Sequence, residues 1–166
     1  MDWTRWTPKE KATLCFVVRD EQVLLIRKKR GLGAGKMNGP GGRIEPGESA
    51  LRCAERETQE EIGVTPLGLE ELGELFFQFI DGYSLHVAVF RAADCRGELI
   101  ETPEASPIWT RIAEIPYAEM WQDDPFWLPL LLDRRPFRGY FTFDEDRMLS
   151  HRVLGTDTGA VLSASG

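Results

Sequence analysis

The stretch Gly42–Val64, GRIEPGESALRCAERETQEEIGV, decides how this chain is read. Ser49 is a helix N-cap residue, Leu51, Ala54, Thr58 and Ile62 recur at helical spacing, and Gly63 supplies a stop. The pattern predicts a helix to Ile62 with those four residues as its apolar stripe. Glu57, Glu60 and Glu61 stand at i, i+3 and i+4, so at about 100° per residue they share a sector away from that stripe. Like charges at these spacings repel by roughly 0.2–0.5 kcal/mol per pair, and the helix dipole disfavours anions near a C-terminus. Local stability would choose Lys or Arg here. A hard divalent cation, Mg²⁺ first and Mn²⁺ second, is the economical compensation, against the plain alternative of a solvated acidic face. Arg56 lies one turn before Glu60 and can orient its carboxylate, and Gly41 and Gly42 let bare backbone carbonyls approach an ion or phosphate.

On the N-terminal side of this stretch, Thr13–Val18 and Gln22–Arg27 read as two strands of a hairpin, broken at Arg19-Asp20-Glu21. Residues 28–47, rich in Gly and punctuated by Pro40 and Pro46, predict a long shaped loop around a short strand. On the C-terminal side, Leu67–Ile80, Leu85–Arg91, Ile108–Ile112 and Phe137–Phe143 read as strands, and Tyr117–Trp121 and Pro125–Asp133 as helical segments. Strands on both sides of one central helix favour an α/β fold. The expected organisation is an N-terminal extension over 1–12, a single domain over 13–153 and a flexible tail over 154–166, whose residues are small and polar.

The 166 residues, 42% of them hydrophobic, suit one domain of ordinary size. Twenty Lys and Arg against 27 Asp and Glu give a formal charge of −7, the wrong sign for coating a nucleic-acid polymer. An anionic ligand therefore needs a cation as go-between. Cys15, Cys53 and Cys95 have no metal-type spacing and an odd count, which fits a reducing, cytoplasmic setting. Neither a secretory signal nor a membrane-spanning run is legible, so no membrane partner is expected.

Gly42, Glu48, Arg56, Glu57, Glu60, Glu61 and Gly63 together resemble the Nudix box, with Thr58 where an aliphatic residue is usual. Chance agreement at seven fixed positions is on the order of one in a million. The resemblance extends through residues 13 to 153 to the oxidised purine nucleoside triphosphatases of the MutT-homologue branch, carried by KKRGLGAGKMNGPGG, GELFFQFIDG, EMWQDDPFWLPLLL and FRGYFTF. It implies an α/β/α sandwich with a mixed central sheet and a monomeric enzyme that hydrolyses damaged purine nucleoside triphosphates to monophosphate and pyrophosphate. It also implies attack at the β-phosphorus, metal ligands Glu57, Glu60 and Glu61 with a carbonyl from Gly41 or Gly42, and Glu104 as a further ligand or base. Glu61 and Glu104 are alternative proton acceptors.

By the same resemblance Trp121 stacks the purine, Asn38, Asp123 and Asp124 read its edge, and Trp127 belongs to the pocket. Two neighbouring carboxyls in an aromatic wall need not both ionise, so one can donate a hydrogen bond. Leu32 and Met37 stand where the animal enzymes carry larger aromatics, Leu85 is a candidate for the floor, and Lys28 for the sugar or base. Residues 31–36 look superficially like a phosphate loop, but Met37 stands where Ser or Thr would meet Mg²⁺. The rivals are another Nudix activity, on a nucleotide sugar or dinucleoside polyphosphate, and a noncatalytic nucleotide-binding module.

Overall fold

The computed structural model describes residues 1–156 and the backbone of 161–165. The strands are β1 (Glu10–Arg19), β2 (Gln22–Lys28), β3 (Met37–Asn38), β4 (Gly41–Arg43), β5 (Thr65–Leu67), β6 (Glu70–Phe79), β7 (Ser84–Ala92), β8 (Asp94–Arg96), β9 (Ala105–Arg111), β10 (Phe137–Asp144), β11 (Arg147–Gly155) and β12 (Val161–Ser165). Among the described residues, two α-helices, α1 (Ala50–Ile62) and α2 (Asp124–Leu132), and three short 3₁₀ turns complete the fold.

The main sheet runs β12-β11-β10-β6-β7-β1-β2-β3, with β4 added on β1 and β9 on β2, and β5 pairs separately with β8. It is mixed as expected, since β1 with β7 and β6 with β10 are parallel while the other pairs are antiparallel. The central strands are apolar on both faces because both faces are covered. Along β1, Cys15 and Val17 join the core beneath α1, while Ala12, Phe16 and Val18 join the core beneath α2. β2 divides likewise, Leu24 and Ile26 against Val23 and Leu25. This period of two yields the α/β/α sandwich from one sheet.

The predicted hairpin is present but brief: β1 meets β2 only at Val18–Val23 and Arg19–Gln22. Further back, β1 pairs with β4 through Ala12–Arg43, Thr13–Gly42 and Leu14–Gly41, so the strands diverge and a cleft opens between them. Gly41 makes this possible, because a Cβ there would overlap the Thr13 backbone. The predicted long loop therefore contains two short strands rather than one.

In α1 the Ser49 side chain accepts from Arg52 N, and Gly63 closes the helix in the left-handed region at φ 81°. The predicted stripe is corrected at one end: Leu51 is exposed, while Cys53 and Glu61 are buried beside Ala54, Thr58 and Ile62. Cys53 faces Thr13 and the carbonyls of Gly42 and Arg43, and Glu61 accepts from Gly41 N, contacts with β1 and β4 that periodicity does not encode. Thr58 settles into the core by donating its hydroxyl to Ala54 O at 2.8 Å.

β1 begins at Glu10, so 10–12 belong to the sheet, and Trp3 and Trp6 dock on Tyr140 and Phe76. At the other end β11 runs through Gly155, and Val161–Ser165 form a strand antiparallel to β11. Small residues suffice there because an edge strand can be held by backbone ladder bonds. The rest of that tail, 157–160 and 166, lies outside the described residues.

Candidate active site

The cleft between β1, β2 and α2 has a cavity volume of about 130 Å³. Glu61 and Gly41–Gly42 stand at one end, and Trp121, Asp123, Asp124 and Trp127 at the other. The strand residues Leu75, Phe77 and Phe79 of β6, with Leu85 and Val87 of β7, form its apolar wall. The β6 residues escaped sequence reasoning as site residues, although their alternation in 75–79 marks one face of a strand.

At the acidic end, Arg56 organises the carboxylates. Its Nε and Nη2 donate to Glu48 at 2.7 and 2.9 Å, and its Nη1 to Glu57 at 2.9 Å and to Glu60 at 3.2 Å. Glu48, a box residue with no role assigned from sequence, is thus the main anchor of Arg56, and the guanidinium holds it at a pKa of about 2. The Glu57 and Glu61 carboxyls lie close enough to act on each other electrostatically. Burial and then the Glu57 charge push Glu61 up to about 8, and burial also raises Glu57. Gly42 gives the Glu57 carboxylate its space, since a Cβ there would lie 2.6 and 2.7 Å from its two oxygens.

The three glutamates of the expected cluster differ in exposure, Glu61 being buried and Glu60 exposed. Among the described residues no group of three or more acidic, His or Cys side chains is set to enclose an ion, because Arg56 holds Glu60 with its side chain 59% exposed. The remaining donors do suit a hard cation: two crowded carboxyls whose pKa burial raises, beside the main chain of Gly41–Gly42. Glu104 lies outside the cleft lining and is ion-paired with Arg30, which lowers its pKa. Its loop is tied to the helix end where Thr102 Oγ1 donates to Glu61 O at 2.7 Å. Lys28 lines the cleft within electrostatic reach of Glu61, Glu104 and Glu57, and its Nζ donates to Leu32 O at 2.6 Å.

At the other end Asp123 and Asp124 are almost completely buried. Trp127 Nε1 donates to Asp123 Oδ2 at 2.7 Å, while Asp123 Oδ1 and Asp124 Oδ2 have no hydrogen-bond partner in the protein. Burial raises both carboxyls, Asp123 to about 6 and Asp124 well above its ordinary value, where the Asp123 charge adds to the effect. Trp127 is fully buried between Phe16 and Phe137, so it orients Asp123 from the core. Trp121 is held edge-on by Phe79 and Phe143. Asn38 lines the cleft with its Oδ1 accepting from Gly39 N at 2.8 Å, which leaves its amide NH₂ available. Leu32 stands exposed at the rim and Leu85 is half-buried in the wall.

A mixed-sheet sandwich that sets an arginine-organised glutamate pair beneath glycine backbone defines a class, and the NUDIX domain family model matches residues 8–131. The chain belongs to the Nudix family. It is 43% identical over 143 residues to the oxidized purine nucleoside triphosphate hydrolase of Danio rerio, covering 85% of this chain and 92% of that one. To the Mus musculus enzyme of the same name it is 39% identical over 148 residues, covering 88% and 95%. Among solved structures, the MutT protein of Bacillus halodurans superposes with a TM-score of 0.79 at 30% identity, covering 87% of this chain and 97% of that one.

Proposed function

We propose that this Nudix hydrolase converts oxidised purine nucleoside triphosphates, of the 8-oxo-dGTP and 2-oxo-dATP type, to monophosphate and pyrophosphate. The observation that carries the reading is that one cleft holds the Glu61 end and the Asp123/Asp124 end together. The relatives' activity supports it. A triphosphate brings about four negative charges to an acidic protein, so a divalent cation, Mg²⁺ with Mn²⁺ as substitute, is needed to neutralise both sides. Glu57 and Glu61 would hold it with a carbonyl of Gly41 or Gly42, and Glu60 stands beside them in the grip of Arg56. The ion supplies charge neutralisation and a more acidic bound water.

The purine enters the aromatic end, stacks on Trp121 and meets the unpartnered oxygens of Asp123 and Asp124, with Asn38 as a further reader. A protonated aspartic acid donates where an ionised one only accepts, so the pair can match the different edges of oxidised guanine and oxidised adenine. Lys28, in the cleft lining, approaches the sugar or base. Water attacks the β-phosphorus, the bond to the bridging oxygen of the α-phosphate breaks, and a carboxylate takes the water proton. Of the two candidate bases Glu61 has the greater proton affinity, because Arg30 neutralises Glu104.

Free nucleotide rather than polymer is the expected partner, given the net charge of −7. The three free cysteines fit a cytoplasmic setting. No helix among the described residues is long and apolar enough to cross a membrane. The deciding assay compares 8-oxo-dGTP, 2-oxo-dATP, dGTP and ADP-ribose with added Mg²⁺, measuring pyrophosphate and orthophosphate separately. Preference for ADP-ribose, or release of orthophosphate, would overturn the assignment. Isotopically labelled water appearing in the monophosphate instead of pyrophosphate would overturn attack at the β-phosphorus.

A further inference from the structure

Lys36 closes the loop between β2 and β3, and its ammonium touches both Trp121 and the turn between β10 and β11. Its Nζ lies 5.3 Å from the centroid of the Trp121 ring and 3.4 Å from Asp146 Oδ2, in the turn between β10 and β11. Trp121 is part of the cleft lining and Lys36 is not. The rest of the loop is fixed from below: Arg27 Nη1 donates to Gly35 O at 2.8 Å, and Lys28 Nζ to Leu32 O at 2.6 Å. Gly33 presses its bare backbone on the same indole, since a Cβ there would stand 2.7 Å from Trp121 Nε1. A second tie joins the Trp121 segment to β11, where Met148 N donates to Gln122 Oε1 at 2.7 Å.

We propose that Lys36 is a positioning residue of the base pocket: its cation backs the Trp121 indole and, through Asp146, locks the loop and the β10–β11 turn into the wall on which a purine stacks. A cation over an indole face is attractive electrostatically, and unlike a shape-filling side chain it depends on charge. Phe79 and Phe143 meet Trp121 only at steep angles, 78° and 86°, so Lys36 is the charged contact on its ring face. Its charge also opposes protonation of the buried Asp124.

The inference rests on the reading of this cleft as a purine site, so the test begins with binding. Isothermal titration of 8-oxo-dGMP into wild type, Lys36→Met, Lys36→Gln and Lys36→Arg is paired with steady-state hydrolysis of 8-oxo-dGTP. Both neutral variants should raise Kd and KM on the order of fivefold with kcat within about twofold, and Lys36→Arg should restore both. Far-ultraviolet circular dichroism checks folding, and two neutral variants guard against one that fails. Unchanged Kd and KM in a folded neutral variant, or an Arg variant as weak as the neutral ones, would overturn the role of Lys36 alone. Wild type that binds no purine nucleotide would overturn the functional reading beneath it.

Discussion

Glu61 owes its raised proton affinity to its neighbours: burial in the cleft and the facing Glu57 carboxylate lift it from about 4.5 in the unfolded chain to about 8. Between those values the folded protein binds a proton that the unfolded chain has released, so stability falls as pH rises through the window. Chelated protein should therefore show a denaturant midpoint that declines from pH 5 to pH 8. The raised Asp123 and Asp124 slope the same way, and Glu61→Gln isolates one share by flattening the curve without abolishing it. An unaltered slope in that variant would contradict the assignment. Added Mg²⁺ should reverse the decline, because a cation stabilises the ionised pair. Glu57→Gln and Glu61→Gln should each lower turnover about 100-fold or more while melting near wild type, and near-normal turnover in both would refute their role. A single residue's identity was legible in these cases because the box spacing fixes which glutamates recur on one sector. Their unequal fates were not, since the outward turn of Glu60 and the inward turn of Glu61 depend on where the sheet lies.

Two elements carry the acidic end, helix α1 and the short strand β4, and both rest on local chemistry that substitution can test. Ser49→Ala removes the cap to Arg52 N and should cost about 1 kcal/mol in chemical denaturation. Gly63→Ala should cost more, because φ is 81° and a Cβ would sit 2.7 Å from Ile100 Cγ1; a loss smaller than that of the cap variant would contradict this account. Gly42→Ala is different in kind: its Cβ would enter the Glu57 carboxylate, so turnover should fall at least about tenfold with a smaller change in stability, measured by kinetics alongside melting. The helix limits were legible because cap, stripe and stop are local signals. β11 was not read as a strand and β12 was read as tail, because Arg147–Gly155 lacks a clean alternation and edge pairing leaves almost no compositional trace.

Across the whole molecule, the N-terminal segment acts as a strap on the far half of the sheet. Trp6 Nε1 donates to Gln78 Oε1 at 2.8 Å, its ring meets Phe76 at 5.7 Å, and Trp3 lies 5.3 Å from Tyr140. Gln78 and Phe76 sit on β6, whose alternate residues Phe77 and Phe79 line the cleft. Trp6→Ala should lower stability by about 1–3 kcal/mol, as expected for a half-buried aromatic, and leave kcat within about twofold. A large loss of kcat in a folded variant would give the strap a direct part in the chemistry. The strap also explains the two tryptophans that sequence alone left without a partner, since Phe76 and Tyr140 alternate with core residues and meet only when β6 and β10 pair in parallel.

The sequence by itself determined the chemistry-bearing residue types, the capped helix that carries them and the alternating apolar strands of an α/β domain, because caps, periodicities and box spacing act over a few residues. Tertiary structure decided which carboxylates converge, that Arg56 is anchored on Glu48, and that the acidic and aromatic ends share one cleft. Those outcomes depend on β1 parting from β2 to admit β4, an arrangement of segments distant in the chain whose packing no local pattern can specify.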